Sequence, residues 1–158
     1  MSAAIQEASG SALPDADHVL RYIARKHVDA GVINGSGFLA RPREEAPSVN
    51  WLDYFSPPVE NQVAEVSARR RLKYEMRGRL ARINVGATRA YVAANSPERA
   101  ELYFAYDPLP DDAVGGRPPD PSHAQIRGVP KESTPEGELI GDLMCDCILD
   151  SYPVTPDR

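Results

Sequence analysis

Residues 56–85 read Ser56-Pro-Pro-Val-Glu-Asn-Gln-Val-Ala-Glu-Val-Ser-Ala-Arg-Arg-Arg-Leu-Lys-Tyr-Glu-Met-Arg-Gly-Arg-Leu-Ala-Arg-Ile-Asn-Val85. The change of period inside this stretch decides the fold class. Val59, Val63 and Val66 recur at helical spacing, with Tyr74 two turns further on. Ser56 stands as an N-cap and Pro57 at the first helical position, so a helix is predicted over about 57–76, ended by Gly78. Beyond the glycine, Ala81, Ile83 and Val85 alternate with Arg82 and Asn84, the pattern of a strand with one buried face.

The same mixture continues outward. Towards the N-terminus, His18–Ile23 carries β-formers in loose alternation, and Asn34-Gly35 between apolar pairs predicts a tight turn within Gly31–Arg41. Pro42–Pro47 reads as a charged loop, and Val49–Phe55, which holds the only tryptophan, as a core segment. Towards the C-terminus, a short helix is expected over Ala87–Asn95 and strands over Leu102–Tyr106 and about Gln125–Val129. Between them Asp107–Pro121 holds five prolines, four aspartates and two glycines, an irregular excursion. A last helix opens with Thr134 as N-cap, Pro135 at its first position and Glu136 and Glu138 near its positive end. Its apolar face is Leu139, Ile140, Leu143, Met144, Cys147 and Ile148. Strands mixed with two main helices, about 57–76 and 135–150, predict an α+β fold with a small mixed or antiparallel sheet. One domain is expected over 15–152, with a disordered tail at 1–14 and a second tail at 153–158.

The 158 residues are 42% hydrophobic and 26% charged, with a net charge of -5 and a pI near 5.2. That composition belongs to globular proteins and excludes collagen, coiled coil and disulfide scaffolds. It argues against a surface built throughout for nucleic acid or anionic lipid. No apolar run approaches the ~18 residues that span a bilayer, and the N-terminus lacks a signal-peptide pattern. Cys145 and Cys147 are two apart, a poor spacing for a disulfide, which points to a reducing, cytoplasmic setting.

The candidate chemistry is sparse. On a helix Cys147 falls in the apolar stripe while Cys145 points away, as an exposed thiol, so the two cannot share a metal. His18, His27 and His123 lack metal-ligand spacing, and no metal site is expected. Gly35-Ser36-Gly37 has no Lys-Ser or Lys-Thr behind it, so neither a nucleotide site nor any cofactor is expected. Asp120-Pro-Ser-His123 bunches polar groups as the excursion ends, either as an Asx turn or as part of a site. The strongest local anomaly is Arg69, Arg70, Arg71, Lys73, Arg77, Arg79, Arg82 and Arg89 against the single acid Glu75, a local excess of seven positive charges. Such a run serves solubility, internal pairing, a protein partner or phosphate binding.

Two resemblances complete the reading. An early strand with His18, Arg21 and Tyr22, a later Ser36 and a still later Glu136 or Glu138 resembles the scattered polar triad of ADP-ribosyl transferases. It implies a glutamate that orients the nicotinamide ribose. The phrases His18-Val-Leu-Arg-Tyr-Ile, Gly35-Ser-Gly-Phe, Ser48-Val-Asn-Trp-Leu-Asp-Tyr-Phe, Ile83-Asn-Val-Gly and Asp120-Pro-Ser-His together resemble a group of small bacterial hypothetical proteins, over about 15–152. This implies a free-standing bacterial domain and brings no catalytic residue with it.

The leading expectation is a non-catalytic interaction or accessory module that binds a protein partner, with no membrane association. Its contact residues would be Arg69, Arg70, Arg71, Lys73, Arg77, Asp120 and His123. The alternatives are a small enzyme with His18, Arg21 and His123 gathered in a cleft, and a nucleic-acid or phosphate binder acting through Arg69–Arg89.

Overall fold

The computed structural model describes residues 8–112, 114–130 and 134–154. Its main sheet contains β1 (His18–Ile23), β4 (Ser48–Trp51), β5 (Arg79–Asn84), β6 (Tyr103–Tyr106), β7 (His123–Arg127) and β8 (Asp150–Pro153). They lie in the order β6-β7-β4-β1-β5-β8, and every pairing is antiparallel. A two-stranded hairpin, β2 (Val28–Asp29) and β3 (Val32–Ile33), stands apart. With α1 (Val59–Ala68), α2 (Val85–Asn95) and α3 (Pro135–Asp146), the protein has the α+β fold that the change of period predicts.

Alternation along each strand divides the interior in two. Val19, Ile23, Val49, Trp51, Ala81, Ile83, Phe104 and Ile126 face the larger core, where they meet Val85 and Val92 of α2 and Ile140, Leu143 and Met144 of α3. Leu20, Tyr22 and Leu80 face the opposite way, onto Val66 of α1 and onto Phe55 and Tyr74. The two faces differ in kind. On the second face β1 and β5 contribute apolar side chains, whereas the alternate residues of β4 and β7 are Ser48, Asn50, His123 and Gln125.

Arg21 is the exception within the larger core. It is 1% exposed, and its guanidinium donates to the carbonyls of Gly37, Leu39 and Ser48 and to both carboxylate oxygens of Glu44. Glu44 also accepts from the backbone N–H groups of Arg41 and Ser48 and from the Arg41 side chain. The loop over 37–48 is therefore wound around one buried ion pair. Elsewhere the 3₁₀ turn Gly35–Phe38 meets α3 backbone to backbone: a Cβ on Gly141 would lie 2.3 Å from the carbonyl oxygen of Gly35.

Several expectations need correction. The helix expected over about 57–76 ends at Ala68, and Pro58 rather than Ser56 stands at its N-cap. Leu72 and Tyr74 still face inward, but from an irregular segment in which Tyr74 stacks on Tyr22 with ring centroids 4.7 Å apart. The last helix ends at Asp146 rather than near 150. Residues Asp150–Pro153 form β8, whose Asp150 pairs with Arg82 of β5. The tight turn falls at Ala30-Gly31, both with positive φ, while Asn34 and Gly35 begin the 3₁₀ turn. The part of the N-terminal tail that is described is docked, with Gly10 and Leu13 donating to the carbonyls of Tyr106 and Phe104 at the free edge of β6. Residues 1–7 lie outside the described residues. At the other end, Pro153 closes β8 and Val154 packs on the smaller core.

Candidate functional site

A cavity of about 720 Å³ opens on the second face of the sheet. Its apolar side is Leu20, Tyr22, Leu80, Val66, Leu72 and Tyr74; its polar side is Ser48, Asn50, Asp120, His123 and Gln125. Sequence alternation explains both halves. β1 and β5 need apolar residues on this face because α1 covers them, whereas β4 and β7 carry polar ones that would ordinarily meet water. Here they are only half-exposed, lining a cavity to which Asp107, Leu109, Arg117 and Asp120 of the excursion also contribute.

That excursion is a narrow ribbon, with bridges Leu109↔Asp120 and Asp112↔Arg117. It is tied to the opposite wall by Arg71, which donates from Nε to Pro118 O at 3.1 Å and from Nη2 to Pro110 O. One side chain thus holds both strands of the ribbon. The third wall is the loop over 41–46, fixed from beneath by the Arg21–Glu44 pair. Arg41, Arg43, Arg70, Arg71 and Arg117 line the cavity together with Glu44, Glu45, Asp107 and Asp120.

The polar end is ordered by two carboxylates. Asp120, 3% exposed, accepts from Asn50 Nδ2 at 3.0 and 2.9 Å and from the Ser122 hydroxyl at 3.1 Å. The side chain reaches across to β4 rather than closing an Asx turn on its own backbone. Asp107 holds His123, whose Nδ1 lies 2.9 Å from Asp107 O and 3.3 Å from Asp107 Oδ2. A carbonyl oxygen can only accept, so Nδ1 carries a proton, and in the neutral ring Nε2 is an acceptor. Gln125 Nε2 donates to the same Asp107 carboxylate at 3.0 Å. Burial pushes the phenol of Tyr74, on the apolar side, up to about 12, so it remains a neutral donor.

The residues singled out from sequence scatter. His123 and Asp120 lie in the cavity; His18 and Arg21 do not line it. His18 is at the far end of β1, bonded through its backbone N–H to Asp53 at 2.6 Å and through Nδ1 at 3.3 Å. Arg21 points through the other face, with its donors taken by Gly37, Leu39, Ser48 and Glu44. Burial, with the charge of Arg41 adding to it and Glu44 opposing, lowers it to about 10. The trio of His18, Arg21 and His123 is not assembled. Nor is the transferase-like set, because Arg21 faces the larger core while Tyr22 faces the cavity, and Ser36 is bonded to His27 Nδ1 at 2.8 Å.

The basic run is largely occupied within the protein. Arg69 pairs with Glu65 and lies over the Phe55 ring; Arg70 lies over Tyr74; Arg82 pairs with Asp150 and Arg89 with Asp15. Lys73 and Arg77 are exposed. Cys145 is not the exposed thiol expected. It packs against the larger core, its S–H donates to Ile33 O, and burial together with Asp142 and Asp146 raises it to about 12. Among the described residues no helix is long and apolar enough to cross a membrane.

Sequence reasoning missed Ser48, Asn50, Gln125 and the wall over 41–46. Comparison with protein-family models, curated proteins and solved structures finds no match.

Proposed function

We propose that the protein acts by binding a small molecule in the cavity between the ribbon and the β4–β7 half of the sheet. The observation that carries this is the arrangement of the cavity itself, an apolar side facing a polar end whose groups are already fixed by hydrogen bonds. A volume of about 720 Å³ falls within the ~300–1,000 Å³ of small-ligand sites. In this reading the occupant is a small molecule, where the sequence alone favoured a protein partner.

Its chemistry follows from the lining. Leu20, Tyr22, Leu80 and Tyr74 suit an apolar or aromatic body. The Asp120 carboxylate and, in the neutral ring, His123 Nε2 are acceptors, so the end of the ligand beside them carries N–H or O–H donors.

An apolar-fragment library screened by two-dimensional amide NMR tests the reading. Binders are expected to shift the backbone signals of Asn50, His123 and Gln125. His123→Phe keeps a ring but deletes Nε2, and donor-bearing fragments should bind it about five- to tenfold more weakly, the value of one hydrogen bond. If fragments bind only elsewhere, or if His123→Phe leaves donor-bearing and donor-free fragments equally affected, the reading is wrong.

A further inference from the structure

A second cavity, sharing no residue with the first, lies where the β2–β3 hairpin approaches the edge strand β8. Its volume is about 540 Å³, and it is lined by Arg25, Val28, Ala30, Gly31, Arg77, Gly78, Arg79, Pro153 and Val154. Three of these nine residues are arginines and none is acidic. The protein as a whole carries a net charge of -5, so a cavity of this kind runs against the composition around it.

The arginines are differently placed. Arg79 is held by the sheet, donating from Nη2 to the backbone and side-chain oxygens of Ser151 at 3.0 and 2.9 Å. Arg25 and Arg77 are exposed and make no ion pair among the described residues. Three like charges around one cavity repel each other, and among the described residues no acidic side chain lines it.

The backbone supplies the second observation. Arg77 has φ +69 in the turn in which Gly78 N donates to Glu75 O. A glycine adopts that conformation without strain, and an arginine is disfavoured there. The chain nonetheless places an arginine at this position, and it lines the cavity beside Arg25 and Arg79.

We propose that this cavity binds the phosphoryl group of a small phosphorylated ligand, with Arg25 and Arg77 supplying the charge and Arg79 the fixed donor. Guanidinium forks match phosphate oxygens in geometry, and a multiply charged anion relieves the repulsion among all three at once. The same chemistry resides in a nucleic-acid backbone, but a recess of about 540 Å³ between a hairpin and a sheet edge fits a terminal phosphate better than a continuous strand.

Inorganic pyrophosphate titrated into the full-length protein by calorimetry is the test, beside a single-stranded oligonucleotide. Saturable pyrophosphate binding, weakened roughly tenfold in Arg25→Gln and again in Arg77→Gly, is expected, with Arg127→Gln as an unaffected control. Arg77→Gly also separates binding from folding: it relieves the left-handed arginine, so its Tm should be at or above that of the parent while its affinity falls. Absence of pyrophosphate binding, binding that survives both substitutions, or binding of the oligonucleotide without pyrophosphate would each overturn the proposal.

Discussion

Replacing Arg21 with methionine is expected to lower stability by about 3–5 kcal/mol, the range found when one partner of a buried ion pair is removed. Methionine fills much of the volume of the arginine stem, so the loss measures the guanidinium. Without it, the carbonyls of Gly37, Leu39 and Ser48 lose their donor inside the protein, and Glu44 keeps only Arg41 and two backbone N–H groups. The double variant Arg21→Met with Glu44→Gln should be less destabilised than the single one, because the stranded charge is gone.

The effect carries a pH signature. Burial alone would raise the Glu44 carboxyl, but the charge and hydrogen bond of Arg21, with those of Arg41, outweigh it and hold the group below its ordinary 4.5. A depressed carboxyl stabilises the fold above its unfolded value, and that stability is lost as pH falls through the folded one. The gap between parent and Arg21→Met should therefore be full at neutral pH and narrow below about pH 4. Urea unfolding at several pH values measures it. A cost under about 1 kcal/mol at pH 7 would mean that the loop over 37–48 is held by something other than this pair.

Gly141→Ala should cost about 3 kcal/mol, the upper end of ordinary overpacking. Helix propensity alone would make the change favourable by about 1 kcal/mol, so the sign of the result is informative. The added methyl would sit 2.3 Å from Gly35 O and 2.8 Å from Gly35 C, and backbone cannot rotate away as a side chain can. Relief requires α3 to move off the Gly35–Phe38 turn, which opens the core around Ile140 and Met144. Calorimetry should show Tm lowered by about 6–12 °C for a chain of this size. Gly35→Ala presses on the same contact from the other side, and once the two elements are apart the second methyl adds little. The double variant should thus be less destabilised than the sum of the singles. An unchanged Tm in Gly141→Ala would show that α3 has slack at this contact.

These two contacts also mark what a sequence can disclose. β1 was legible because its β-formers occupy consecutive positions that all end in the sheet, and the start of α3 because Thr134, Pro135 and Glu136 each favour the same helix end. The end of α1 was not legible. Leu72 and Tyr74 do point inward, as a helical period requires, but three consecutive arginines leave the helix to reach Glu65, Tyr74 and the ribbon. Period records which residues are buried, not which backbone buries them. Gly35-Ser36-Gly37 looked like an indifferent turn because the reason for Gly35 lies 106 positions away, at Gly141.

The cavity on the second face was half legible for a similar reason. Asp120 and His123 stood out as a polar bunch at the end of the excursion. Ser48, Asn50 and Gln125 did not, since polar residues alternating on a strand ordinarily mark its wet face. What covers that face is a proline-rich ribbon with no period of its own, and one of its fastenings is Arg71, whose acceptors are backbone carbonyls. Carbonyls are common to all residues, so no sequence pattern announces such a bond.

The strand order has a kinetic consequence. β1, the first of the described strands in chain order, lies at the centre of the sheet, and its two partners follow about 30 and 60 positions later; β7 and β8 then close on β4 and β5 across about 70. Within this sheet only β6 and β7 are near neighbours in the chain, the β2–β3 hairpin lying outside it. Such a topology offers little that is local to start from, so refolding should take milliseconds to seconds rather than microseconds. During that interval both edges of β1 stand open to other chains. Trp51, the only tryptophan and 3% exposed in the larger core, lets stopped-flow fluorescence time it; a microsecond phase of full amplitude would contradict this account.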